Sequence, residues 1–93
     1  MKTLMFYELA PDGSQKVPAL FAAHGARLQE FKSRGVLLMA GPYGDPPQGA
    51  VAVFNSEAAA REFIAGDPFV LQGAVARWQV HPWQEALSAP GEG

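Results

Sequence analysis

Cysteine is absent from this 93-residue chain, which removes disulfides, thiolate chemistry and sulfur-ligated metal sites at once. Histidine is nearly absent: His24 and His81 are the only two, so a structural zinc site is not expected. No stretch approaches the ~20 apolar residues that a membrane span needs. The opening Met1–Glu8 carries one basic residue and a short apolar run, without the long apolar region and small-residue cleavage site of a signal peptide. Basic residues are also few, seven Lys and Arg against nine Asp and Glu, for a net charge of −2. Nucleic-acid binding relies on clustered Lys and Arg, so that class of partner is not expected. The chain holds no Ser-His-Asp arrangement, phosphate loop, dinucleotide fingerprint or metal-ligand spacing. The expectation is one cytoplasmic domain over residues 1–83 with a tail at 84–93, needing no cofactor.

What is present reads as alternating short elements. Residues 2–9 are rich in aromatic and apolar side chains and close on Pro11-Asp12-Gly13, which predicts a strand that is apolar on both faces. A loop to Lys16 leads into a helix with Pro18 in its first turn, running to about Arg34 and stopping at Gly35. Val36–Ala40 is too short and too apolar for a helix and reads as a buried strand, with a loop from Gly41 to Gly49. Ala50–Phe54 is the next strand. Asn55-Ser56-Glu57 starts a short helix that ends at Gly66, and Pro68 blocks its continuation. Residues 68–72 suggest one more short turn, and residues 74–81 the last strand.

The order β-α-β-β-α-β predicts an α+β, ferredoxin-like fold: a four-stranded antiparallel sheet with two helices on one face. The uncovered face would still carry apolar residues, an exposed patch larger than monomers usually keep. Two copies packed through these sheet faces would bury it. RNA-recognition domains share the element order, but their third strand needs a basic residue and exposed aromatics. Residues 48–54 have no basic residue and one aromatic.

His24 is the residue that asks for an explanation. At ~100° per residue it falls within the apolar arc of Leu20, Leu28 and Phe31, the face a helix buries. Left unpaired there, a polar ring would cost about 1–3 kcal/mol. A backbone carbonyl or water would satisfy it. So would a carboxylate, which would orient the ring for acid–base work. Asp67 is the candidate. Asp before Pro is also a usual helix cap, and a capping carboxylate can still accept an imidazole N–H. Arg27, one turn beyond His24, would complement an anionic substrate group or lie at the solvated edge of the helix. Tyr7 and Tyr43 could offer pocket hydroxyls, and Gly41-Pro42 a close backbone approach. His81 suits a cross-strand or dimer contact.

Several segments together resemble the YCII (YciI-like) family of small dimeric α/β-barrel proteins. They are Phe6-Tyr7, His24-Gly25-Ala26-Arg27-Leu28, residues 35–42 ending in Gly41-Pro42, Gly66-Asp67-Pro68-Phe69 with Gly73, and Val80-His81-Pro82-Trp83. The resemblance implies a ferredoxin-like fold, a homodimer through the sheets, and a His24–Asp67 pair in a pocket beside the interface. Arg27, Gly41, Pro42, Tyr7 and Phe69 are then expected to contact a small-molecule substrate. Two departures stand out. Gly25 replaces the bulky apolar residue usual after the histidine, which is expected to widen the pocket or admit another chain. Ala22 and Ala23 occupy the place of a basic residue expected shortly before the histidine.

The function expected is a cofactor-independent enzyme of isomerase or lyase type. It would act on a lactone or enolisable carbonyl compound, with His24 moving a proton and Asp67 holding its tautomer. The alternative is a dimeric domain that binds a small molecule in the same pocket without turnover.

Overall fold

The structure is a computed structural model, and residues 1–89 are described. Its elements are β1 (Lys2–Leu9), α1 (Gly13–Ser33), β2 (Leu37–Tyr43), β3 (Gly49–Phe54), α2 (Glu57–Gly66), α3 (Pro68–Leu71) and β4 (Val75–Trp83). The strands form one sheet in the order β2-β3-β1-β4, with every neighbouring pair antiparallel. This is the ferredoxin-like α+β arrangement expected, with a one-turn third helix added.

Alternation along β1 sorts the two faces. Thr3, Met5 and Tyr7 are buried, while Leu4 and Phe6 are only partly covered. Registers of Met5 with Ala52 and Tyr7 with Ala50 place those alanines on the same face as the buried set. Phe31 of α1 and Phe63 and Ile64 of α2 fill the core on that side together with Phe54. The helices therefore cover the face of Met5 and Tyr7. Phe6, Val51, Gln79 and His81 lie on the other.

Three boundaries differ from expectation, each for a local reason. The first helix begins at Gly13, so Pro18 lies inside it rather than in its first turn. The entry is held by backbone bonds, Gly13 N–H to Ala10 O at 2.8 Å and Gln15 N–H to Asp12 O at 3.1 Å. Proline at position 18 removes one helical donor, the one that would pair with Ser14 O. Next, β2 runs on through Gly41, Pro42 and Tyr43, which the sequence suggested were loop. Because β2 is an edge strand, Pro42 pairs with Ala50 without needing an N–H on its free side. The same tolerance lets β4, the opposite edge, include Pro82 and extend to Trp83.

The ends of the helices follow their sequence signals. Gly35 takes φ 78°, and Val36 N–H donates to Phe31 O while Gly35 N–H donates to Lys32 O, closing α1 in a Schellman motif. Ser56 Oγ accepts from Ala59 N–H at 3.2 Å and starts α2. A Lys2–Glu85 ion pair holds the first part of the expected tail against β1. Residues 90–93 of that tail lie outside the described residues. Among the described residues no helix is long and apolar enough to cross a membrane.

Candidate functional site

Asp67 is the centre of the site. It ends α2, and its backbone is extended because Pro68 follows. From there its side chain caps α3: Oδ1 accepts from Phe69 N–H at 3.2 Å. The carboxylate is wholly buried, at 0% exposure, and it is fully engaged. Tyr7 O–H donates to Oδ2 at 2.8 Å, and His24 Nδ1 lies 2.8 Å from Oδ1. Three groups pointing donors at one carboxyl group fit an acceptor-only carboxylate, so Nδ1 carries the imidazole proton in this pair. The cap and the imidazole partner are thus one and the same residue.

Each member is placed by a different element. His24 projects from α1 toward the sheet, Tyr7 stands on β1 at the sheet centre, and Asp67 sits in the turn joining α2 to α3. The His24 ring stacks on Phe69, with centroids 3.8 Å apart and planes 9° from parallel, and meets Phe63 edge-on. Packing on two sides and one hydrogen bond fix the ring's orientation. Burial, reinforced by the neighbouring Asp67 charge and hydrogen bond, raises the Tyr7 phenol far above its ordinary pKa of about 10. Tyr7 therefore stays a hydrogen-bond donor across the physiological range.

Nδ1 is committed to Asp67. Among the described residues the other ring nitrogen, Nε2, has no hydrogen-bond partner, and no buried side-chain nitrogen or oxygen is left unsatisfied. The space available to Nε2 is a cavity of about 390 Å³ between α1 and the sheet, walled by His24, Tyr7, Phe63 and Phe69 on its deep side. Small side chains on neighbouring strands make the room: Ala40 on β2 and Ala50 and Ala52 on β3 all line it. That alanine spacing was the sequence signal for a cavity, and it reads equally well as ordinary strand. Val17 and Leu28 of α1 and Pro47 of the β2–β3 loop also reach the cavity and carry no distinguishing sequence mark.

The other expected contacts divide. Gly41 and Pro42 line the cavity at its rim, and Phe69 lines it from α3. The Tyr7 ring lines it too, but its hydroxyl is spent on Asp67 rather than offered to a ligand. Arg27 is not on the cavity wall. Its Nε donates to Phe63 O at 3.0 Å and its NH2 to Glu62 O at 2.7 Å, carbonyls of the last turns of α2, where a cation complements the helix dipole. The guanidinium lies over Phe31 and Phe63 and against Gly66, where an added Cβ would sit 2.7 Å from its central carbon. Arg27 is a clamp between the helices. Gly25 is also off the cavity wall, with nothing within 4 Å of the position its Cβ would take, so it does not widen the pocket. Tyr43 lies over Gly49, where a side chain would collide with Tyr7 O and the Tyr43 ring, and its hydroxyl approaches Tyr7 O. Among the described residues no group of three or more His, Asp or Glu side chains could hold a metal ion.

Solved structures share this fold. A 5-chloro-2-hydroxyhydroquinone dehydrochlorinase (TftG) from Burkholderia phenoliruptrix, in complex with 2,5-dihydroxybenzoquinone, superposes with a TM-score of 0.76 at 24% identity, covering 90% of this chain and 94% of that one. SnoaB, a cofactor-independent oxygenase from Streptomyces nogalater, superposes with a TM-score of 0.51 at 14% identity, covering 96% and 95%. At these identities the likeness is one of fold. No curated protein matches the sequence. The family model of the YCII-related domain matches residues 1–84, nearly the whole described chain, and the protein therefore belongs to the YCII family.

Proposed function

We propose that this chain is a small cofactor-independent enzyme that moves a proton on a small organic substrate, a lactone or an enolisable carbonyl compound. The observation that carries the reading is the 2.8 Å contact of His24 Nδ1 with a wholly buried Asp67, on the wall of an apolar cavity. A buried carboxylate that orients an imidazole and stabilises its protonated form leaves Nε2 as the base. Nε2 takes a proton from the substrate carbon next to the carbonyl, and the electron pair left behind spreads into the carbonyl as an enolate. The imidazolium then returns the proton at a second carbon, completing an isomerisation, or the electron pair expels a leaving group, completing an elimination. Elimination is the chemistry named for the dehydrochlorinase that shares the fold.

His24→Ala is expected to lower turnover on an active substrate by about 10²–10⁴-fold, with the circular dichroism spectrum of the folded domain retained and the melting temperature lowered, because buried Asp67 loses one of its three donors. Full activity in that variant would sink the mechanism. If a ligand binds the cavity and product analysis finds no turnover in the unaltered protein, the non-catalytic binding domain is the correct reading.

The same proposal includes a cytoplasmic homodimer packed through the uncovered sheet face. Supporting it, Met39 and Trp83 stay 48% and 38% exposed on the strands, and Leu4, Phe6 and Val51 are only partly covered. Such a surface is larger than isolated exposed residues require. Sedimentation velocity is expected to give a dimer, and Phe6→Glu, at the centre of the patch, to shift it to monomer. A monomer at every concentration in the unaltered protein would refute this part.

A further inference from the structure

We infer that the cavity beside His24 is built for an uncharged substrate, a flat molecule with one weakly acidic O–H or C–H, and that it rejects carboxylates. The inference rests on the reading above that this cavity holds the substrate, and it narrows the substrate class by charge. None of the chain's seven lysines and arginines lines the cavity. Arg27, the nearest by sequence to His24, is held between α1 and α2, off the cavity wall, by Glu62 O and Phe63 O, and cannot leave without freeing those carbonyls of α2. Lys16 pairs with Asp12, Arg34 with Glu62, Arg61 with Glu57 and Arg77 with Glu8, all outside the cavity.

Two formal charges stand behind the wall and neither lines it: the Asp67 carboxylate behind His24, and the Arg27 guanidinium behind Phe63, which is engaged by the Glu62 and Phe63 carbonyls. The one in contact with the wall's polar groups, Asp67, is negative. Three donors already compensate it, so the His24–Asp67 pair offers a ligand no net positive charge. The remaining wall is aromatic, methionine, alanine, valine, leucine and proline side chains, with Gly41 and Gly49. An anion entering this space beside a neutral His24 would give up its hydration and find no lysine, arginine or unengaged side-chain donor on the wall, which is the most costly form of burial. A neutral molecule faces no such loss. With Nδ1–H directed at Asp67, the neutral ring presents the Nε2 lone pair, an acceptor, so a ligand hydroxyl or acidified C–H can donate to it. Phe69, stacked behind His24, and Phe63 add flat apolar surface of the kind a planar ring system uses.

Three naphthalenes of similar size separate these demands: 2-naphthol, 2-methoxynaphthalene and 2-naphthoate, titrated at pH 7.5 against the full chain and followed by the NMR signals of the cavity residues Ala52 and Phe69. 2-Naphthol is expected to shift those signals and to bind at least about tenfold more tightly than 2-naphthoate, the size of effect an unpaired buried charge readily gives. Its advantage over 2-methoxynaphthalene, which cannot donate a hydrogen bond, is expected to vanish in His24→Ala. Ala40→Lys puts a cation on an exposed rim position and is expected to narrow the gap between naphthol and naphthoate at least threefold. Equal or tighter binding of 2-naphthoate, or no shift of cavity signals with any of the three, would overturn the inference. These are binding measurements, so the inference falls or stands separately from proton transfer, which the turnover of His24→Ala decides.

Discussion

The two histidines of this chain serve opposite faces of one sheet, and their surroundings differ in burial, in the charge of the partner and in packing. His24 comes from α1 onto the covered face. It is 9% exposed, bonded to a buried carboxylate and stacked flat on Phe69. His81 stands on β4 on the uncovered face, fully in reach of solvent, with Gln79 Oε1 2.9 Å from its Nε2 and Phe6 edge-on at 6.1 Å. A histidine gains directional chemistry where burial forces it to find a partner and packing fixes which nitrogen stays free. On the open face an amide two residues away can satisfy it, and solvent competes for the same contact.

Asp67 tests this contrast most severely. Asp67→Ala leaves the Tyr7 hydroxyl, the Phe69 N–H and the His24 ring without their acceptor, all three in the buried interior. Breaking a buried pair while its partner remains costs about 3–5 kcal/mol, a large part of the stability of a domain this size. His81→Ala should stay within about 0.5 kcal/mol of the parent, as for most surface changes. Urea unfolding of both variants measures the difference. A comparable loss in the two would mean that the buried network contributes nothing that the surface pair does not.

The sequence carried the element order, and it made His24 and Asp67 conspicuous, because these leave local marks; what joined the two was the resemblance to the YCII family. Helix stops at Gly35 and Gly66, the Asp-Pro step and a polar ring in an apolar helical arc all act within a few residues. What it did not carry depends on placement across the sheet. Pro42 looks like a loop residue until β2 is known to be an edge. Arg27 looks like a cavity residue by its distance from His24 along the chain, but the C-terminal carbonyls of α2, more than thirty residues away, capture it. The cavity itself is defined by missing volume at Ala40, Ala50 and Ala52, and alanines in strands announce nothing until their facing helix is in position.

Tyr7 gives a subtler test, because its contribution depends on pH. Tyr7→Phe removes a hydrogen bond to a charged group, worth about 1.5–3 kcal/mol near neutrality. In the folded protein the Tyr7 phenol holds its proton well above the ordinary value, chiefly because it is buried and then because Asp67 is beside it. The unfolded chain releases that proton from about pH 10 upward. Raising the pH past this point therefore favours the unfolded state, and the stabilising contribution of Tyr7 is complete below about pH 10 and declines above it. The parent should lose about 1.4 kcal/mol per pH unit more than Tyr7→Phe in that range, so their stabilities converge. Denaturation series at pH 8, 10 and 11 follow this directly, and parallel curves would mean that Tyr7 ionises as freely in the folded protein as in the unfolded one.

Gly25 gives the smallest effect and the one with the opposite sign. It follows His24 directly, yet it lies off the cavity wall, and a Cβ there would touch nothing within 4 Å. Its backbone is ordinary helix, since the positive-φ glycines are Gly35, Gly44 and Gly73. Glycine inside a helix costs about 0.5–1 kcal/mol relative to alanine, mostly through the freedom of the unfolded chain. Gly25→Ala is therefore expected to stabilise the domain by about that amount, raising the melting temperature by a few degrees, with substrate turnover unchanged. A loss of stability would mean that another surface packs against this position, and a second copy of the chain is the first partner to look for. A loss of turnover at full stability would instead show that α1 must yield at Gly25 for His24 to reach its substrate, which would tie the freedom of this one residue to the chemistry of its neighbour.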